Sequence, residues 1–103
     1  MYKTDSKTLA AHRAKLLALA LDMAEADHYT RVTRDGLAKA GGVANGIVTA
    51  TFGTMTQFRR DLMRHAVAEG RLRVIGQGLA QGCPHAAKAP AEVRQAAMQA
   101  LAS

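Results

Sequence analysis

Residues 32–48, with the sequence VTRDGLAKAGGVANGIV, decide the fold because they encode two short helices and the turn between them. Thr33 suits the start of the first helix, since its hydroxyl can accept a hydrogen bond from a backbone N–H. Gly41 and Gly42 end that helix, because glycine weakens helices and tolerates positive φ. A second short helix is expected from Val43 onward. The stretch therefore predicts a helical pair joined by a tight glycine turn.

Longer helical patterns flank this pair. Apolar residues at helical spacing predict a first helix over residues 7–26, after which His28 is expected to adopt the left-handed conformation that ends a helix. A turn at Gly53 follows the pair, and the next helix is expected to start with a cap at Thr54 or Thr56. The two short helices are thus predicted to lie between two longer ones.

The remainder of the chain also has a helical pattern. Gly70 is expected to bend the long helix rather than end it, because the apolar spacing continues as far as Gly82. Pro84 belongs to a connector, and Pro90 suits the first position of a last helix. The alanine-rich composition, with 4% aromatic residues, favours helices over strands. An all-α fold is predicted, as a small bundle of five or six helices without a sheet.

Composition also restricts the partners and the compartment. The formal net charge of +6 and the pI of about 10.1 favour a polyanion such as nucleic acid over a membrane. The single cysteine, Cys83, cannot form an internal disulfide, which is typical of a reducing compartment. The sequence has no apolar run of the length that a signal peptide or a membrane span requires. We therefore expect a cytoplasmic protein.

Two short helices joined by a glycine turn, between longer helices, are typical of a helix-turn-helix. Apolar positions must lock such helices together, and Leu37, Ala38, Val43, Val48 and Phe52 are suitable for this. The second helix can then enter a major groove of DNA with its polar edge facing the bases. Since many helical hairpins bind no DNA, the pattern and charge alone leave DNA binding and a purely structural hairpin open.

The stretch from Leu16 to Val67, about half of the chain, resembles the DNA-binding domain of TetR-type transcriptional repressors. The resemblance rests on residues 16–20, on the Thr33-x-x-x-Leu37-Ala38 and Gly42-Val43-x-x-Gly46 elements, and on Phe52-Gly53 and Phe58. It implies a homodimeric repressor of transcription. The chain departs from the family pattern at Thr49, Met55 and His28, where the family usually has tyrosine, lysine and glycine.

The candidate DNA-binding residues lie at the starts of the helices and along the second short helix. They are Thr33, Arg34, Ala44, Asn45, Gly46, Ile47, Thr49, Thr51, Thr54 and Thr56. Asn45 is the main candidate for reading a base, because its amide can pair with adenine, whereas a solvated helix start is the alternative. Ile47 can contact a thymine methyl group or the core. The threonines can contact phosphates, although Thr33 is also expected to act as a cap.

Basic residues outside the pair have two interpretations. Arg59, Arg60 and Arg64 are expected mainly to pair with the acids near the end of the first helix, and otherwise to contact DNA. The acids are Asp22, Glu25 and Asp27. A second set, which comprises Lys3, Lys7 and Arg13, is either a basic arm along the DNA backbone or a solvated tail.

The chain is predicted to comprise a DNA-binding domain over residues 1–69 and a dimerisation segment over residues 70–103. The segment has apolar helical stripes that are too small for a core of their own, so they must pack on the first helix or on a second copy. The predicted dimer interface consists of Leu72, Ile75, Leu79, Val93, Ala97 and Leu101. With so few residues beyond Val67, no drug-sized pocket and no small-molecule effector are expected.

No catalytic site, metal site or cofactor is predicted. Cys83-Pro84-His85 lacks further ligands at zinc spacing, and the Gly76-x-Gly78 stretch lacks the lysine of a phosphate loop. The sequence therefore predicts a homodimeric repressor that acts on a palindromic operator by occupancy and without small-molecule induction. The alternative is a helical adaptor or antagonist that binds a protein partner through its apolar C-terminal face.

Overall fold

The computed structural model of the chain describes residues 6–103, which form helices and turns without any strand. The elements of this part of the chain are α1 (Ser6–Ala26), a 3₁₀ turn (Tyr29–Arg31), α2 (Arg34–Gly41), α3 (Asn45–Phe52), α4 (Met55–Glu69), α5 (Leu72–Ala80), α6 (Pro84–Ala87) and α7 (Ala91–Ala102). The predicted all-α fold is confirmed for the described residues. None of their helices is long and apolar enough to cross a membrane.

Local capping chemistry sets the ends of the short helices. The Thr33 hydroxyl accepts a hydrogen bond from the Gly36 N–H at 3.0 Å and caps α2. Gly42 ends α2 in the left-handed conformation, with φ of 66°. Thr54 and Gln57 form a reciprocal capping box at the start of α4. These caps confirm the boundaries expected from the sequence.

The structure corrects several boundary predictions. The described residues form seven α-helices instead of five or six. Helix α3 begins at Asn45 and not at Val43, and Pro84 begins α6 instead of lying in a connector.

Two further corrections concern the longer helices. His28 has an extended backbone, with φ of −162°, and its Nδ1 accepts a hydrogen bond from the Thr30 N–H. It therefore starts the 3₁₀ turn instead of ending α1 in the left-handed conformation. Gly70 has φ of 67° and ends α4, so the long predicted helix is divided into α4 and α5.

A single buried cluster runs through the fold. Leu16 of α1, Leu37 of α2, Phe58 of α4 and Ile75 of α5 are all fully buried members of this cluster. The boundary predicted at residue 69 coincides with the end of α4, yet the cluster continues across it. Residues 70–103 thus share the core of the preceding helices, because their apolar side chains complete it.

Helix α5 is enclosed by the rest of the fold, since its five central residues 74–78 are all buried. Gln77 is the buried polar residue among them. Its Nε2 donates to the Ala24 carbonyl at 3.0 Å, and its Oε1 accepts from the Tyr29 N–H at 2.9 Å. Backbone groups at the end of one helix and the start of the next lack partners within their own helix. Gln77 therefore supplies partners to both ends of the α1–3₁₀ connection.

Arg71 fixes the start of α5 to the end of α1. Its Nε lies 2.7 Å from Glu25 Oε1, and its Nη2 lies 2.8 Å from Asp22 Oδ1. The hydrogen bond from Arg71 lowers the pKa of Glu25 below its usual value, against an opposing effect of burial. Asp27 pairs with Arg31. The prediction that the α4 arginines neutralise these acids is therefore wrong, because Arg71 and Arg31 already do so.

Helix α7 packs on α5 at the smallest residue of that helix. A methyl group built on Gly76 would lie 2.5 Å from the Ala97 carbonyl oxygen, so α7 approaches the α5 backbone closely. Ile75 and Ala97 are fully buried inside the single chain. Their predicted place on a dimer surface is therefore wrong for the folded chain. The remaining predicted interface residues are half-buried. They are Leu72, Leu79, Val93 and Leu101.

Candidate nucleic-acid interface

Helix α3 has one buried side and one outer edge. Val48 and Phe52 are buried and fix the helix to the core, as expected. The outer edge consists of small or polar residues that are all exposed, namely Ala44, Asn45, Gly46, Thr49 and Ala50. Ile47 is half-buried between the two sides. Without long side chains, this edge allows a large partner to approach the helix closely.

Asn45 is exposed but already has a partner. Its side-chain Nδ2 donates to Asp35 Oδ1 from the first turn of α2. Because a carboxylate only accepts hydrogen bonds, this contact determines which end of the amide is the nitrogen. The Oδ1 atom and the second N–H of Asn45 then remain for another partner. An adenine edge offers a donor and an acceptor that match these two groups.

The threonine hydroxyls are less available than the sequence indicates. Thr51 is half-buried and donates to the Ile47 carbonyl at 2.6 Å, whereas Thr49 donates to the Asn45 carbonyl at 3.3 Å. Thr54 uses its hydroxyl and its backbone N–H within the capping box. The Thr33 hydroxyl accepts the capping hydrogen bond and can still donate its own hydrogen. Thr56 is exposed. Thr33 and Thr56 are therefore the better candidates for a donor to a phosphate.

Two arginines have a buried Nε atom without a hydrogen-bond partner among the described residues. They are Arg34, at the first position of α2, and Arg59, in α4. Buried polar groups in folded proteins are almost always hydrogen-bonded, so each such atom needs an explanation. Since both atoms are shielded from solvent, an acceptor from outside the chain would reach them only after the side chain turns outward. The sequence suggested a contact for Arg34, but the environment of Arg59 arises only in the fold.

Arg13 does not extend into solvent as part of a basic arm. Its guanidinium lies over the Phe52 ring at 5.4 Å and is 3.3 Å from Asp61 Oδ2. It thereby connects α1 with the end of α3 and with α4, and this structural role corrects the predicted one. Lys3 and the side chain of Lys7 lie outside the described residues.

By contrast, Arg59, Arg60 and Arg64 form no ion pair with any acid in the described part of the chain. All three lie on α4, which begins directly after α3. Their positive charge lowers the pKa of nearby His85 through Arg64 and Arg60, in addition to the larger effect of burial. The face of α4 beside the 3₁₀ turn is therefore a region of positive potential.

No group of three or more metal-binding side chains occurs within the described residues. Comparisons with protein-family models, curated proteins and solved structures give no match to this chain.

Proposed function

We propose that the chain is a sequence-specific DNA-binding repressor that acts as a homodimer on a palindromic operator. Repression would result from occupancy of the DNA, without induction by a small molecule. The observation that carries this proposal is the outer edge of α3. Its small residues surround Asn45, whose amide is exposed and oriented by Asp35. A helix with such an edge is suited to a major groove, where side chains reach the edges of bases.

The charge distribution supports the same partner. Arg34, at the first position of α2, has a buried Nε without a partner, and the arginines on α4 lack acidic partners among the described residues. Arginine donors of this kind are well suited to phosphate oxygens. Phosphate contacts would fix the position of the chain on the duplex, and Asn45 would then supply the preference for a base.

The departures from the TetR pattern have local reasons. Met55 is half-buried and packs against the core, so an apolar residue at this position stabilises the start of α4. Thr49 is exposed on α3 and is shorter than a tyrosine. Contacts to the DNA phosphates would therefore depend on Arg34 and on the α4 arginines instead of on Thr49 and Met55.

The homodimer is proposed through the outer side of α5 and α7. Leu79 and Met98 line an open groove there, and Met98 is the large hydrophobic residue that the described fold leaves most exposed, at 46%. A second copy that covers this groove would place two α3 helices on one duplex, about 34 Å apart for successive major grooves. The two copies would double the number of bases that are read.

Selection of duplexes from a random pool tests the proposal. We expect the selected duplexes to share a palindrome and to bind about a thousandfold or more tightly than random duplexes at physiological salt. Sedimentation should give a dimer on the selected duplex, and Met98→Lys, which changes an exposed residue, should give a monomer. Equal affinity for selected and random duplexes would refute sequence-specific binding.

Replacement of Gly46 by alanine should separate stability from DNA binding. A methyl group built on Gly46 meets no atom within 4 Å, and its φ is not positive. We therefore expect Gly46→Ala to raise the free energy of unfolding by about 0.5–1 kcal/mol. Affinity for the selected duplex should fall, because the added methyl group lies where DNA must come close. Thermal unfolding and a binding titration measure both effects, and unchanged affinity would show that DNA does not approach Gly46.

Replacement of Asp35 by alanine should strengthen binding to random duplexes and reduce the preference for the selected duplex. Loss of the negative charge should strengthen binding to random duplexes about two- to fivefold at low salt. Loss of the acceptor should reduce the ratio of selected to random affinity, because the Asn45 amide is then no longer oriented. Asp35→Asn is the matched control, since it removes the charge and keeps an acceptor. If Asp35→Ala retains the ratio, Asp35 does not orient Asn45.

The exposed Met98 also favours a second candidate function, which is a helical adaptor or antagonist that binds a protein partner at the α5–α7 groove. Exposed apolar residues at a groove are typical of such contacts. The two functions differ in their response to substitution. For an adaptor, Met98→Lys would abolish partner binding, whereas Asn45→Ala would have no effect on it.

A further inference from the structure

An open cleft of about 400 Å³ lies between the 3₁₀ turn, the start of α4 and the α5–α6 connection. Arg59 and Arg60 line it from α4, and His85 lines it from α6. Thr56 and Tyr29 add hydroxyl-bearing side chains to its walls. None of the described residues that line this cleft is acidic. We propose that the cleft binds a phosphate group through Arg59 and Arg60.

The first argument is the unsatisfied donor. The Nε of Arg59 is shielded from solvent and has no hydrogen-bond partner among the described residues, so no bond at this atom holds the side chain and its guanidinium can turn towards a ligand in the cleft. A guanidinium carries five N–H donors in a planar fork that matches two oxygens of a phosphate. Arg60 is exposed and borders the same cleft, so its donors can reach the same ligand.

The second argument is the local potential. Arg13 already engages Asp61, which is the acidic residue of α4 closest in sequence to this arginine pair. Burial is the largest cause of the lowered pKa of His85; the charges of Arg64, Lys88 and Arg60 lower it further, and the charge of Asp61 opposes them. The cleft therefore lies in a positive field that an anion would stabilise.

The third argument concerns size and neighbouring groups. A cleft of about 400 Å³ exceeds the space of a phosphate group alone and has room for the molecule that carries it. The prediction that the chain has no pocket of this size is therefore wrong, although the cleft is open to solvent. Tyr29 and Pro84 provide apolar surface for such a molecule. The phosphate can belong to a DNA strand, because Thr56 lies in the first turn of α4, or to a free organic phosphate. The site itself does not depend on the proposed function.

Nuclear magnetic resonance of the arginine Nε–H groups tests this site. Inorganic phosphate, titrated against chloride at constant ionic strength, is expected to shift the Arg59 Nε–H resonance to saturation. Arg60→Gln should weaken the binding about tenfold, the size of one charge-assisted hydrogen bond. Arg73→Gln is the matched control, because Arg73 is an exposed arginine on α5 that does not line this cleft.

In the Arg59→Gln variant, phosphate should no longer produce a saturating shift in the resonances of the other cleft residues. If Arg59→Gln does not fold, Arg60→Gln serves as the test. An unshifted Arg59 resonance, or equal weakening by Arg60→Gln and Arg73→Gln, would overturn the proposal. A parallel titration with the protein bound to duplex DNA distinguishes the two sources. A DNA phosphate in the cleft would prevent the shift by inorganic phosphate, whereas a site for free phosphates would still respond.

Discussion

Replacement of Gln77 by leucine is expected to lower the free energy of unfolding by about 2–6 kcal/mol. The physical reason is that Gln77 is 2% exposed and bonds both the Ala24 carbonyl and the Tyr29 N–H. Leucine would leave these two backbone groups buried without partners, and each such group costs about 1–3 kcal/mol. Chemical denaturation of the whole chain measures the loss.

Gln81→Leu is the matched control for this variant. Gln81 is exposed directly after α5, so the same chemical change should alter the stability by less than about 0.5 kcal/mol. If Gln77→Leu were as stable as Gln81→Leu, the α1–3₁₀ connection would not depend on Gln77. DNA binding by Gln77→Leu, measured where the variant is still folded, should also weaken, because this connection leads directly into α2.

Replacement of Gly76 by alanine is expected to release α7 from α5. The new methyl group would lie 2.5 Å from the Ala97 carbonyl oxygen and 3.0 Å from Leu101 Cβ, and a backbone oxygen cannot rotate away. The helices must separate, at a cost of about 1–3 kcal/mol typical of overpacking. Hydrogen exchange should show faster exchange over residues 91–102, while the amides of α1 and α4 retain their protection.

Gly46→Ala is the control for this second variant, because the methyl group there has open space around it. Equal protection of α7 in the Gly76→Ala variant and the unchanged protein would contradict the close approach of the two helices. If the homodimer forms at the α5–α7 groove, Gly76→Ala should also reduce dimer formation. A dimer that persists without docked α7 would have to form elsewhere.

Several helix ends could be predicted from the sequence, although the conformation of His28 could not. Thr33, Gly42 and Thr54 act through atoms within a few residues of themselves, so their chemistry identifies the helix ends directly. The effect of Gly70 was harder to predict, because a glycine inside an apolar periodic pattern can bend a helix or end it. The left-handed φ of Gly70 and the new helix from Leu72 resolve this choice.

The long-range contacts could not be predicted. Gln77 lies 48 residues from Tyr29, and the sequence has no periodic signal that joins the two. The stripe that contains Ile75 is apolar whether the same chain or a second copy covers it, and the structure assigns Ile75 to the core of the same chain. The acids of α1 were likewise expected to pair with α4, yet Arg71 of the α4–α5 connection reaches them.

The candidate interface was predicted in part. The position of Asn45 at the start of α3 follows from the turn before it, and its exposure follows from the burial of Val48 and Phe52. The contact with Asp35 was not foreseen, because it depends on the angle between α2 and α3. The cleft beside Arg59 was missed for the same reason, since its walls come from segments distant in sequence.

The ratio of selected to random affinity for Asn45→Ala tests most directly whether α3 reads base pairs. Both duplexes are titrated at one salt concentration with the Asn45→Ala variant and the unchanged protein. We expect the variant to lose about 1–3 kcal/mol of binding free energy per half-site on the selected duplex, with relaxed preference at one base pair. Its affinity for random duplexes should be unchanged. Equal losses on both duplexes would contradict base reading by α3.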